Sequence, residues 1–443
     1  MSRRLLSVLF PATGPGRGLA LAQWVNSVGD GAYYVCSALY FSRVVGLSAG
    51  RIGLGLTLAW AVGALAGVPL GHLADRRGPR GAAVLLAAAT AASVGGLLFV
   101  RSYGAFLVVA CAYATAQCGL AAARQSLLAG LVPPGERTGV LARLQAAGNA
   151  GIAVGAGIGA VALHLGTAAA YLSVLAVDAV AFAGCAALLG RLPVVVAAGG
   201  SAAGGAGAGS GTGNGPGGGR RLAVLRDRPY ALVTVLNAVM LLRMPLISLA
   251  VPMWVVERTT APGWTVSALL VLNTGAVMLF QVRTAAGVTG LPSAVRAVRS
   301  GGALMLVSCA VFALSGGGGV PVWAATAALL GGAVFQVWGE MRQSAGAWQI
   351  SFELAPDGRQ GLYQGFFGTG VPVARMLGPA VLTTLVIGWG AAGWLVLGGL
   401  FLVSGLVMGP VVRSAAARAG GVAAGRGLTP RSTGNPGITV VKE

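Results

Sequence analysis

Charge is what this chain has least of. Only 9% of its 443 residues are charged, where a soluble domain carries about 25%. The shortage falls on the acids: 10 Asp and Glu stand against 30 Lys and Arg, a net charge of +20. Lysine is almost missing, with Lys442 the only one, so the basic charge is arginine. Histidine occurs only as His72 and His164, and the five cysteines (Cys36, Cys111, Cys118, Cys185, Cys309) never form a CxxC pair. Those spacings offer no zinc site and no disulfide framework. The cysteines, all inside apolar runs, read as small buried hydrophobes. There is no G-x-x-x-x-G-K-[ST] loop, no nucleophile elbow and no cluster of His, Asp and Ser. An enzyme is therefore not expected, nor any metal or cofactor.

What is present is apolar sequence, 56% hydrophobic with a mean hydropathy of +0.80. It falls into runs long enough to cross a bilayer. In the first half they lie near 19–42, 52–70, 81–100, 105–132, 141–163 and 168–189. Residues 199–219 are almost all Gly, Ala and Ser, followed by Arg220, Arg221, Arg226 and Arg228, the composition of a flexible linker. Six more runs follow near 230–256, 266–282, 300–315, 320–348, 362–388 and 391–412. The fold class expected is an all-α membrane protein with twelve transmembrane helices in two bundles of six. Its parts are a lead-in at 1–18, bundles at 19–190 and 229–412, a linker at 191–228 and a disordered tail at 413–443. The basic start is interrupted by Pro11, Gly14, Pro15 and Gly16 and reads as a cytoplasmic lead-in, not a cleaved signal peptide.

The arginines set the orientation. They gather in the short connections between runs, not on one patch, so they point to topology and not to nucleic acid. The densest connection is Gly71-His-Leu-Ala-Asp-Arg-Arg-Gly-Pro-Arg80. Short basic loops stay on the cytoplasmic side, which places both termini there; a bacterial cell membrane is the expected location. Arg283, Arg296 and Arg299, and Asp357 with Arg359, are expected in inner loops.

The same stretch resembles the loop between helices 2 and 3 of major facilitator superfamily transporters, roughly G-x-L-A-D-R-x-G-R-R. Gly71, Asp75, Arg76, Gly78 and Arg80 match, and Pro79 replaces a basic residue. The matching turn of the second half, Arg283–Gly290, lacks the aspartate. Ala123-Arg-Gln-Ser-Leu-Leu128 with Pro133–Arg137 resembles the end of helix 4 in the efflux branch. Gly148, Gly151, Gly155 and Gly159 resemble the glycine-rich helix 5 of antiporters, with Ala156 and Ala160 where proline and glycine belong. Close helix packing serves equally well for those glycines. The resemblance implies the 6+6 fold, alternating access, and a gating role for Asp75 against basic groups or a helix N-terminus of the other bundle.

Charges within apolar runs are costly, about 2.5–3.5 kcal/mol each at mid-bilayer on insertion scales. Asp30, Asp178, Glu340, Arg243 and Arg375 are such charges, with Arg124 and Arg143 nearer the inner side. Asp30 is the first candidate for a proton carrier, with Arg124 as a partner; a fixed structural pair is the competing reading. Glu340 is the second, with Arg243 as its counter-charge. For Asp178 a structural pair is expected. Asn26, Tyr33, Tyr34, Gln336 and Trp338 are the candidate cavity residues. The resemblance of helices 4 and 5 to efflux members, with no ATPase motif, implies proton-coupled efflux of a small amphipathic molecule, with the proton gradient as energy source, a small-molecule substrate and the lipid bilayer as partners, and a monomer. An importer, which would have a more polar site, a narrow-substrate exporter and a membrane sensor or scaffold are the alternatives.

Overall fold

The computed structural model describes residues 14–194, 224, 227–317, 319–356 and 359–424. The lead-in as far as residue 13, the linker over 195–223, Asp357 and the tail from 425 lie outside the described residues. Among the described residues twelve helical spans are present. In the first half they are α1 (Pro15–Leu39), α2 (Ala49–Arg77), α3 (Pro79–Leu97), α4 (Tyr103–Leu131), α5 (Arg137–Leu165) and α6 (Ala168–Gly190). In the second they are α7 (Arg228–Arg258), α8 (Trp264–Ala286), α9 (Leu291–Leu314), α10 (Val322–Glu353), α11 (Gln360–Gly388) and α12 (Ala391–Ala424). Eleven are long and apolar enough to cross a membrane. The twelfth is α1, whose hydropathy is lowered by Gln23, Asn26, Ser27 and Asp30.

Local chemistry sets the helix starts. Side chains of Ser48, Ser102, Thr167 and Asp227 accept from the backbone N–H three residues on, at 3.4, 3.3, 3.2 and 3.3 Å, satisfying donors that a helix start leaves open. The basic turn is tighter than a loop. Helix α2 runs through Arg77 and α3 starts at Pro79, so Gly78 alone makes the reversal, at φ 95°. Only glycine takes that conformation without strain. Proline follows at the first helical position, where no N–H is needed.

Three boundaries differ from the hydropathy reading. Arg283 sits in the last turn of α8 and Arg296 and Arg299 in the first turns of α9, not in a loop, because α8 runs on to Ala286 and α9 begins nine residues before its apolar stretch. Likewise α12 continues past 412 to Ala424, since Ala-rich sequence propagates a helix beyond the hydrocarbon. Finally, α7 and α11 are not continuous: α7 breaks after Leu241 and resumes as a π-helical turn at Leu246–Ala250, while α11 breaks at Thr369 and ends in one at Thr383–Gly388. Pro245 and Pro372 stand near the breaks and remove backbone donors there.

The packing repeats after six helices. In the first half α1 packs on α5 and α6, α2 on α4, and α3 on α4 and α6; the second half repeats each pairing six helices later. The halves meet through α2 with α11 and α5 with α8, which are the same pairing under that repeat.

The apolar clusters show where the halves separate. At the arginine-rich end, Phe352 and Trp348 of the second half join the first half's core, and Ala142 and Val68 of the first join the second's. At the other end each bundle has its own cluster, one around Tyr40, Phe106 and Tyr171, the other around Trp254, Phe312 and Trp394.

Candidate functional site

Between the bundles lies a cavity of about 760 Å³. Its second-half wall is polar. Arg243, on α7, pairs with Glu340 of α10 at 2.7 Å (Nη1 to Oε1). The Arg243 Nε donates to Gln343 Oε1 at 3.0 Å, and its Nη2 to Ser344 Oγ at 2.8 Å. Gln343 in turn donates to Asn237 at 2.9 Å. On the other side of Glu340, Asn273 and Gln336 each donate to Oε2 at 3.3 Å, and Asn273 also reaches Gln336 at 3.1 Å. Five of the guanidinium and carboxylate contacts are thereby charge-assisted hydrogen bonds, the stronger kind.

The spacing of α10 explains the wall. Gln336, Glu340, Gln343, Ser344 and Ala347 recur at three- and four-residue intervals and share one helix face, and all line the cavity. Trp338 does not. It lies two residues from Gln336, hence on the far side, 45% exposed and 6.5 Å from the Phe280 ring. That exposure belongs to the lipid-facing surface, so Trp338 is removed from the cavity candidates.

The first-half wall holds Tyr34, Trp60, Cys118, Gln125, Gln145 and Asn149. Arg375 of α11 reaches across to it. Its guanidinium carbon lies 4.5 Å from the Trp60 ring centre, and Nη2 donates to Tyr34 Oη at 3.4 Å. Among the described residues, Arg243–Glu340 is the one guanidinium–carboxylate pair within 4.0 Å. The cavity lining thus carries two arginines and one acid.

Asp30 stands elsewhere. It is 9% exposed, accepts from Asn26 Nδ2 at 2.6 Å, and neither it nor Asn26 lines the cavity. Tyr33 is likewise buried, packed on Tyr113 with ring centres 6.0 Å apart. Arg124 does not pair with Asp30. It donates to Gln23 at 2.6 Å, seven residues earlier on α1, which is about 10 Å along the axis at 1.5 Å per residue. Asp178 is fully buried with both carboxylate oxygens unpartnered, so the structural pair expected for it is absent; its charged neighbour is Asp30.

The basic motif joins the bundles at the arginine-rich end. Asp75 accepts from the backbone N–H of Gly361 at 2.8 Å and of Leu362 at 2.9 Å, and from Ser126 Oγ at 2.9 Å. A carboxylate at the start of α11 meets both free N–H groups and the positive end of the helix dipole. Gly71 makes this approach possible: a Cβ there would strike the Gly361 carbonyl, and one at Gly365 would lie 2.7 Å from the Gly67 carbonyl. Two G-x-x-x-G faces, 67/71 and 361/365, therefore cross backbone to backbone. Arg80 donates to the Gly190 carbonyl within the first bundle, and Arg76 is exposed. Nearby, Thr138 donates to Gln349 across the bundles, and Arg137 lies 5.6 Å from the Phe352 ring.

The α5 glycines face α1. A Cβ at Gly151 would lie 2.6 Å from the Trp24 carbonyl, one at Gly155 would strike the Val28 carbonyl, and one at Gly159 would sit 2.8 Å from Val35 Cβ; at Gly148 it would approach Gln23 at 3.2 Å. Gly157 faces open space. These residues bring α1 and α5 into backbone contact.

Gln343 and Ser344 line the cavity without standing among the sequence candidates. The polar i, i+4, i+7 spacing of Gln336, Glu340 and Gln343 was the signal for both.

Two six-helix bundles related by a six-helix repeat, closed at one end around a cavity with one polar wall, define a secondary transporter embedded in a membrane. The chain belongs to the Major Facilitator Superfamily, whose family model matches residues 19–345. Solved structures with a similar fold include a bacterial homologue of the iron transporter ferroportin in its outward-facing state, at 14% identity and TM-score 0.69, covering 91% of this chain and 100% of that one. The human organic anion transporter MFSD10 is similar at 15% identity and TM-score 0.62, covering 92% and 99%. The E. coli fucose:proton symporter FucP is similar at 14% and 0.62, covering 90% and 98%. No curated protein matches the sequence.

Proposed function

We propose that this transporter carries a small polar solute with an acidic group, moved by alternating access and coupled to protons. The observation that carries this is the cavity lining: a hydrogen-bonded network around Arg243 and Glu340 on one wall, and Arg375 with no carboxylate within 4.0 Å on the other. A half-buried guanidinium left over after internal pairing favours an anion. The amide-rich wall supplies donors and acceptors for the rest of the solute, and the Trp60 ring a flat apolar contact. Of the aromatic cavity candidates, Tyr34 lines the cavity and Trp338 does not.

The arginine-rich end is the cytoplasmic one in this proposal, with both termini there, by the rule that basic connections stay inside. Asp75 on the α11 N-terminus then acts as the inner gate, and the arrangement is the outward-open state of a monomer in a bacterial inner membrane. Export in exchange for protons is the direction proposed, on the likeness of α4 and α5 to efflux members. Import is the second reading, favoured by the polar wall around Arg243 and Glu340.

The test is transport by the purified chain in proteoliposomes with an imposed pH gradient, against a panel of small carboxylates, neutral solutes and cationic dyes. The expected result is gradient-driven movement of a carboxylate, lost in Arg375→Gln. Movement of cationic dyes alone, unaffected by that change, overturns the proposal.

A further inference from the structure

Four buried oxygen atoms on α1 and α6 lack a hydrogen-bond donor. Asn26 Oδ1, Asp30 Oδ1, Asp178 Oδ1 and Asp178 Oδ2 are all buried without a hydrogen-bond partner. Asn26 is 4% exposed, Asp30 9% and Asp178 0%. The side chains converge at the contact of α1 with α6: a Cβ at Gly29, the residue before Asp30, would strike Asp178 Oδ1. Asn26 is turned to the same point, its amide donating to Asp30, and its own oxygen is one of the four.

Acceptors cannot satisfy acceptors. Two ionised carboxylates placed together inside a membrane protein would repel each other and would have no donor to replace water. The surrounding elements supply little help. From α1 come Tyr33 and Tyr34, from α4 Tyr113 and Arg124, from α6 Cys185, and from α11 Arg375. Helix α3 has no ionisable side chain over 81–97, nor does α5 over 144–163. The two arginines act at longer range, and their hydrogen bonds go to Gln23 and Tyr34, not to either carboxylate.

We infer that Asp30 and Asp178 together hold one proton, as a carboxyl–carboxylate pair on α1 and α6. The O–H of one acid donates to an oxygen of the other, which supplies the missing donor. A single negative charge remains, which the distant Arg124 and Arg375 offset. This places a proton site off the solute's path, yet within electrostatic reach of Arg375 on the cavity wall. It rests on the proton-coupled reading for its purpose, and it reassigns Asp178 from structural pairing to the coupling site.

The test reads the proton directly and does not depend on finding a substrate. Infrared spectra of the purified full chain are recorded in water and in D2O across a pH series. At neutral pH we expect a deuterium-sensitive C=O band of a protonated carboxyl. It should persist in Glu340→Gln and be lost in both Asp30→Asn and Asp178→Asn, because in each the new amide gives the remaining carboxylate a donor. Asp178→Glu should retain a shifted band, and the pH titration of the wild-type band needs no variant. No such band at any pH, or a band unchanged in both asparagine variants, overturns the inference. So does thermal stabilisation by sodium, absent in those variants, in a chain without the band, since the pair would then hold a metal cation. A chain that shows the band but moves no solute with a pH gradient would refute the proposed transport and leave the proton site standing.

Discussion

At the residue scale the Arg243–Glu340 pair is the most consequential contact. Removing one partner of a buried pair costs about 3–5 kcal/mol, because the other is left charged and unpaired, whereas replacing both with apolar residues is often neutral or stabilising. Arg243 is only 7% exposed, and two further donors of its guanidinium are bound by Gln343 and Ser344. Glu340→Ala should therefore lower the thermal unfolding midpoint in detergent markedly, and Arg243→Met with Glu340→Leu should recover most of the loss. A double variant as unstable as the sum of the singles would mean that the two act independently. Arg375 differs, since its contacts are a ring face and a long phenol hydrogen bond. Arg375→Gln should leave the unfolding midpoint nearly unchanged. For an anionic solute it should weaken binding by about 1.5–3 kcal/mol, the worth of a charged hydrogen bond, as measured by calorimetric titration.

At the element scale the glycines of α5 make two opposite predictions in one helix. Gly155→Ala puts a methyl against the Val28 carbonyl, and overpacking of this kind costs about 1–3 kcal/mol. Gly157→Ala meets open space and should gain about 0.5–1 kcal/mol from helix propensity. Unfolding midpoints of the two variants against wild type decide it; equal effects would remove backbone contact as the role of the stripe. The elements also show how far sequence reaches. Apolar runs bounded by arginines are a strong, local signal, so the twelve spans were legible, although the ends of α9 and α12 were not, because helix propensity outlasts hydropathy. Mid-span charges were legible as unusual, but their partners depend on helix rotation and depth. Arg243 and Glu340 come together, while Arg124 lies two turns from Asp30 and ends on Gln23. The crossing of Gly67 and Gly71 with Gly361 and Gly365 joins segments almost three hundred residues apart, and no spacing within either half signals it.

At the scale of the whole molecule, the question is what holds one end shut. Two apolar clusters shared between bundles, and all but one of the described interbundle hydrogen bonds, lie at the arginine-rich end; the exceptions are Arg375–Tyr34 and a small cluster of Ala146 and Ala150 with Met278, deeper in the bundle. The other end has two separate clusters, so closing it requires new contacts, while opening the first end requires breaking these. Asp75 is the side chain that carries two of those interbundle bonds, and within its own bundle it loses only the hydrogen bond from Ser126. A helix cap of this kind is worth about 0.5–2 kcal/mol, and one to two kcal/mol changes a two-state ratio by about 5–30-fold. Asp75→Ala should thus shift the population toward the state open at the arginine-rich end. Cys118, a native thiol lining the cavity, reports this directly when Cys111, the other partly exposed cysteine, is replaced by serine. A membrane-impermeant thiol reagent should label Cys118 faster from the side opposite the arginine-rich loops, and Asp75→Ala should slow that labelling and speed labelling from the arginine-rich side. Labelling at unchanged rates from both sides would show that the α2–α11 glycine crossing keeps that end closed without the carboxylate, and that Asp75 serves the fold of the turn and not the gate.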